Sequence, residues 1–200
     1  IDDIIECKFK SGDMSFKLNL FLEARNTFNE VVSLYSRVID SGEFVDSYYV
    51  ANAQFMLGEI EYDEYEKLEL KPPLNVNLKR KVEKFQKVFQ AYKLALEYQV
   101  ADWSTAASYK IGMAFEEFVR AFMDSPVPPG LEGEDLAEYM EGLEKTARPY
   151  KERALETYRK NVEQAEANSI HNEWIIQSRD RMKILEKELA VESRPVVQGS

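Results

Sequence analysis

Chemistry in this 200-residue chain has to come from a few side chains brought together, and the candidates are sparse. There is one cysteine, Cys7, and one histidine, His171. A thiolate activated by an imidazole is the reaction those two could support, but they stand near opposite ends of the chain and lie in no local thiol-enzyme signature. Sites that need two imidazoles, an internal disulfide or a multi-cysteine cluster are excluded. A di-iron carboxylate bundle needs Glu-x-x-His on two helices, and the residue three before His171 is Asn168. The P-loop, Gly-x-Gly-x-x-Gly and His-Glu-x-x-His patterns are absent. Glu116 and Glu117 are paired carboxylates, yet neighbours in a helix do not face each other. His171 reads as a surface residue at a helix start. No catalytic residue, metal ligand or cofactor is expected, and neither is an enzyme.

The acidic residues are more numerous. Glu59, Glu61, Asp63, Glu64, Glu66 and Glu69 form one group, and Glu132, Glu134, Asp135, Glu138 and Glu141 another. A solvated helix face accounts for both, and Glu134 and Asp135 also suit the positive end of a helix dipole. A docking surface for a basic partner is the functional alternative. With 26 Lys+Arg against 36 Asp+Glu, the net charge is −10. Such a surface repels phosphate backbones and anionic lipid, so nucleic acid is not an expected partner. No apolar run is long enough to span a bilayer.

The elements that must position any site read as helices. Hydrophobic residues make up 44% of the chain, enough for a packed core. Apolar residues recur at steps of three and four, as in Phe21, Ala24, Phe28, Val31, Tyr35 and Val38, and no segment alternates with period two. Prolines cluster at Pro72-Pro73 and Pro126 to Pro129, which marks connections because helix interiors exclude proline. The pattern predicts seven helices, at 13–40, 44–67, 78–99, 102–123, 134–146, 148–168 and 171–190. Gly12 is a break, Pro149 begins a helix, and Asp13, Asn77 and Ser169 sit where caps belong. The expected class is all-α.

Within those helices the sequence repeats. The pattern small-x3-Tyr-x2-small occurs at Val31/Tyr35/Val38 and Val88/Tyr92/Ala95, and in part at Ala154/Tyr158, where Asn161 replaces the last small residue. Gly58, Gly112 and Ser178 follow the three copies at similar distances, and a Pro-Pro pair follows each glycine. Small residues at those points let helices approach closely.

This arrangement resembles the tetratricopeptide repeat family. Leu57-Gly58 and Ile111-Gly112 match its Leu-Gly pair, Phe115 its following aromatic, and Trp174 its tryptophan. Glu61, Arg181, Gln177 and Asn161 depart from its pattern, and the units are longer than the usual 34 residues. The resemblance implies a right-handed stack of antiparallel helical hairpins over 1–190, with units at about 13–67, 78–123 and 134–190 and a tail at 191–200. Ile1, Ile4, Ile5 and Phe9 would be the remnant of an earlier unit. It also implies a concave groove lined by Asn52, Phe55, Glu59 and Tyr62, by Ala106, Tyr109, Met113 and Glu116, and by Asn172, Ile175, Arg179 and Met182. A narrower likeness, in the Pro-Pro segments, Ala154-Leu155-Glu156 and Asn172-Glu173-Trp174, is to envelope-associated bacterial repeat proteins of the gliding-motility and Tol type. It implies a periplasmic or cell-envelope location.

The function expected from these features is a non-catalytic scaffold that holds a basic or amphipathic peptide, or a partner helix, in the groove. The alternative is an assembly module of a larger envelope complex, acting by self-association or docking.

Overall fold

Apolar residues on a helical period fold the chain into seven α-helices in a computed structural model that describes residues 1–192. They are α1 (Asp2–Lys17), α2 (Phe21–Asp40), α3 (Tyr48–Glu66), α4 (Leu74–Leu96), α5 (Ala101–Met123), α6 (Gly133–Ala167) and α7 (Glu173–Glu192). No strand occurs among the described residues, and the protein is all-α. Most of the tail expected at 191–200 lies outside the described residues.

The number of helices matches the expectation, but the division differs at both ends. Gly12 is not a break: it lies inside α1, and the chain turns at Leu18-Asn19-Leu20 with Asn19 in the left-handed region (φ 60°). Pro149 does not begin a helix, because α6 runs through it for 35 residues, roughly 50 Å. A proline inside a helix costs about 3 kcal/mol. Packing on both sides offsets that cost, with Leu143 and Ala147 buried before it and the Tyr150 ring 4.6 Å from that of Phe118 after it. The expected caps also fall elsewhere. Asp13 is within α1, Asn77 is within α4, and Ser169 (φ 54°) follows the end of α6. Side chains that accept first-turn amides are Asn172, whose Oδ1 takes the Ile175 amide at the start of α7, and Asp46, whose Oδ1 takes the Tyr48 amide at the start of α3.

Each helix packs on the next, and the odd-numbered helices also pack on one another in order. The backbones of the even-numbered helices do not meet. Neighbours run antiparallel: Gly58 faces Tyr92 while Tyr65 faces Lys81, and Gly112 faces Tyr158 while Phe118 faces Tyr150. The odd helices run parallel to each other, since Phe55 meets Trp103 and Glu59 meets Lys110 further along both helices, as Tyr109 meets Trp174 and Glu116 meets Arg181.

One contact recurs at the antiparallel crossings. A Cβ on Gly12 would lie 2.7 Å from the Phe28 ring, on Gly58 2.5 Å from Tyr92, and on Gly112 2.4 Å from Tyr158. Each aromatic is fully buried. Only glycine lets the two helices come this close. The repeated unit on the even helices is therefore Ala24/Phe28/Val31, Val88/Tyr92/Ala95 and Ala154/Tyr158/Asn161, all buried. The first copy lies seven residues before the expected Val31/Tyr35/Val38. Tyr35 is only partly buried and packs edge-on against Tyr98.

Ser178 does not belong to the glycine series. Its hydroxyl accepts from Asn161 of the preceding helix at 3.0 Å, whereas each glycine receives a ring from the following one. A second repeated contact sets the register of α7. Phe9, Phe55 and Tyr109, each three residues before a glycine, pack on Tyr49, Trp103 and Trp174 of the next odd helix at 5.5, 5.5 and 5.6 Å. Tyr49 and Trp103 stand nine residues before Gly58 and Gly112, so Trp174 places Lys183 at the glycine position of α7. The Lys183 side chain is 70% exposed.

Overpacking a close crossing costs about 1–3 kcal/mol, so Gly58→Ala and Gly112→Ala should each lower stability by that amount. Gly142→Ala, on an open stretch of α6 with nothing within 4 Å of the added Cβ, should raise stability by about 0.5–1 kcal/mol. Urea unfolding of the three variants checks both signs.

Candidate functional site

The parallel odd helices share one face, and that face is unequal along its length. Near the helix N-termini its own aromatics fill it. Phe55 lies 5.5 Å from Trp103 and 6.3 Å from Trp174, and Tyr109 lies 5.6 Å from Trp174. Toward the C-termini the face opens into a cleft of about 610 Å³ between α3, α5 and α7, with Lys151 of α6 at its edge. Met113 and Met123 supply its accessible apolar surface, over a floor of the buried Tyr62, Tyr109, Val119 and Leu185. Charges of both signs surround it, from Glu66, Glu116, Glu117 and Glu188 and from Arg120, Lys151 and Arg181.

The acids deepest in this face are held by the fold. Tyr92 donates to Glu59 at 2.5 Å, and Lys110 donates to the other oxygen at 2.7 Å, which ties α4, α3 and α5 together. Tyr158 donates to Glu116 at 2.6 Å, and Arg181 grips both oxygens of Glu116, which ties α6, α5 and α7 in the same way. Burial raises the ionisation of Tyr92 and Tyr158 well above the ordinary tyrosine range, and the neighbouring Glu59 and Glu116 charges add to it.

Beneath the cleft lies a buried ion pair. Lys81 donates to Glu117 at 2.8 Å and to the Tyr65 carbonyl at 2.9 Å, with its ammonium 4.2 Å from the centre of the Tyr65 ring. Its side chain is wholly buried, and burial lowers its ionisation below the ordinary lysine range, opposed by Glu117. Arg120 lies over the same carboxylate with two donors, at 2.7 and 3.0 Å. Asn161, the polar residue among small ones, is satisfied too. It donates to the Thr105 carbonyl and to Ser178, each at 3.0 Å, and so joins α6 to both α5 and α7.

The structure separates the residues expected to line a groove. Tyr62, Tyr109, Met113 and Glu116 come together in the cleft. Phe55 (4% exposed) and Ile175 (1%) are core residues, and Asn52 is buried as well. Phe55 is covered by Trp103 and Trp174 of the later odd helices, and Ile175 packs on Val162 and Ala165 of α6. Glu59 is committed to Tyr92 and Lys110, and Arg179 pairs with Glu166 of α6, away from the cleft. Ala106 is buried, and Asn172 is taken up by capping α7 and by its bond to Thr105.

No protein-family model, curated protein or solved structure matches this chain.

Residues missed in the sequence include Met123, Arg120, Lys151 and Leu185. Two of them were within reach, since Tyr109, Met113, Glu116, Arg120 and Met123 continue one helical stripe of α5. Lys151 and Leu185 were not, because they arrive from other helices. No group of three or more His, Cys, Asp or Glu side chains among the described residues is placed to hold a metal ion. Cys7 is exposed on α1.

Removing one member of a buried pair costs about 3–5 kcal/mol, while replacing both by apolar groups is far milder. Glu117→Leu should fall in that range because it strands Lys81. Lys81→Met should cost less, since Glu117 keeps Arg120, and the double variant should recover part of the Glu117→Leu loss. A double-mutant cycle in urea checks the order. Buried tyrosines make a second prediction. Tyr62, Tyr65, Tyr92 and Tyr158 ionise later in the folded state than in the unfolded chain. Their contribution is complete below about pH 10 and is lost as pH rises above it. Lys81 has the opposite slope, but as one group against four. Tyrosinate absorbance should therefore rise in two stages, the second coinciding with loss of helical circular dichroism.

Proposed function

We propose that this chain is a non-catalytic protein-binding scaffold that takes a basic or amphipathic peptide in the cleft between α3, α5 and α7. The single observation behind this reading is the cleft itself, about 610 Å³ of methionine- and tyrosine-lined surface within a charged rim. Methionine and tyrosine are adaptable anchors that are enriched in binding surfaces. The parallel odd helices, the antiparallel neighbours and the recurring Gly–aromatic crossing support a stack of helical hairpins of tetratricopeptide-repeat type, in which one helix of each hairpin contributes to the shared face.

The deep carboxylates Glu59 and Glu116 hold the stack together, so partner charge is read at the rim. Glu66 and Glu188 would meet a basic residue, while Met113 and Met123 would pack on an apolar one.

Selection of a random displayed peptide library on the full chain should enrich sequences that mix Lys or Arg with large apolar residues. Their affinity should drop about tenfold or more in Met113→Glu and Glu66→Lys, since one lost anchor is worth about 1–2 kcal/mol. Thermal unfolding of Glu66→Lys should stay unchanged, while Met113→Glu, which takes a half-buried side chain off the core, should melt lower yet keep its helical circular dichroism at the temperature of the binding assay. Binders indifferent to both substitutions, or none at all, would refute the reading.

A further inference from the structure

A second cleft, of about 750 Å³, opens between α4 and α6 over the first turns of α5. No residue that lines it is charged, although charged residues make up 31% of the chain. Its polar groups are hydroxyls and amides: Gln99 from the turn after α4, Ser104 and Ser108 from α5, and Gln164 and Asn168 from α6. Thr105 and Asn161, also in its wall, are paired within the fold. Among the described residues, the side chains of Gln99, Ser104, Ser108 and Gln164 have no hydrogen-bond partner, and Ser104 Oγ is buried without one.

The corresponding space between α2 and α4 is closed. There α2 runs about three turns beyond Phe28, its Tyr35 meets Tyr98 at 5.7 Å, and both rings pack on the cluster that includes Val50. By contrast α4 ends about one turn beyond Tyr92, and no ring lines the space between it and α6. Counted from Gly58 and Gly112, the wholly buried Val50 and Ala51 of α3 become Ser104 and Thr105 on α5. Counted from Tyr92 and Tyr158, Ala95 becomes Asn161. A shorter helix and a switch from apolar to uncharged polar side chains thus fall together at one place. The place is internal to the array: α4, α5 and α6 each pack on both of their chain neighbours, so a further helical unit at either end would not cover it.

The side chains say what fits. Amides and hydroxyls offer donors and acceptors side by side, and nothing in the cleft offsets a buried charge. A helical ligand keeps its backbone groups to itself, whereas an extended chain presents free N–H and C=O groups along its length. No side chain caps α5, so its first-turn amides, beginning at Ala101 in the cleft wall, add donors for peptide carbonyls. We infer that this cleft binds an extended, uncharged peptide segment through its backbone. The inference goes beyond the cleft between α3, α5 and α7 and does not depend on it. Short displayed peptides free of Asp, Glu, Lys and Arg, selected on the full chain, should yield binders that tolerate Glu66→Lys. Their affinity should drop about tenfold or more in Gln164→Tyr, which sets a ring six residues after Tyr158, as Tyr98 follows Tyr92. Gln164 is exposed, so the melting temperature should not fall. Methylation of a binder's backbone nitrogens should weaken it by a similar factor at the positions that donate, while Ser, Thr and Ala should exchange in its sequence with little effect. Peptides indifferent to Gln164→Tyr, binders untouched by every N-methylation, or no binders at all overturn the inference. So does a neutral oligosaccharide, maltoheptaose as the probe, that binds with the same sensitivity to Gln164→Tyr while the peptides do not.

Discussion

The fold depends on the close approach of an aromatic ring to a backbone without a side chain. Phe28 over Gly12, Tyr92 over Gly58 and Tyr158 over Gly112 fix the depth at which neighbouring helices cross. Everything nearby follows from that depth. The small residues around each ring, such as Ala24, Val88 and Ala154, are buried because the helices are already in contact there. A solvated ring would leave the crossing several ångströms wider, and the odd helices would lose their shared face.

Two of the three rings carry a hydroxyl, and the polar wiring starts from it. Tyr92 and Tyr158 each reach a glutamate on the helix they cross, and that glutamate is then held by a cation from the next odd helix. A buried tyrosine hydroxyl without a partner would cost more than the bond contributes, so these carboxylates are structural. The first crossing uses phenylalanine and has no such chain. Charge on this acidic protein therefore includes carboxylates that link helices, Glu59, Glu116 and Glu61 among them, and others that meet solvent.

The ends of the array show the same logic by omission. At α7 the glycine is replaced by the exposed Lys183, and a ring cannot seat against a lysine. At α1 the glycine is kept and used, but the opposite side of the helix shows apolar residues to solvent.

Read alone, the residues determine the class and much of the local structure. The three-and-four periodicity makes helices, the Pro-Pro segments interrupt them, and the repeated small-aromatic-small pattern marks positions of close packing. Local pattern could not choose between Val31/Tyr35/Val38 and Ala24/Phe28/Val31, which overlap on one stripe of α2. It also could not show that Ser178 follows a different rule from Gly58, since both are small. Only partners distant in the chain decide those points: the ring of Phe28 against Gly12, and Asn161 against Ser178. The site divides in the same way. Tyr109, Met113 and Glu116 are legible as one stripe of α5, whereas Lys151, Arg181 and Leu185 join them only because α6 and α7 fold back over it. Whether an aromatic on the shared face is core, like Phe55, or cleft wall, like Tyr62, is set by how far the parallel helices splay, and no residue encodes that distance by itself.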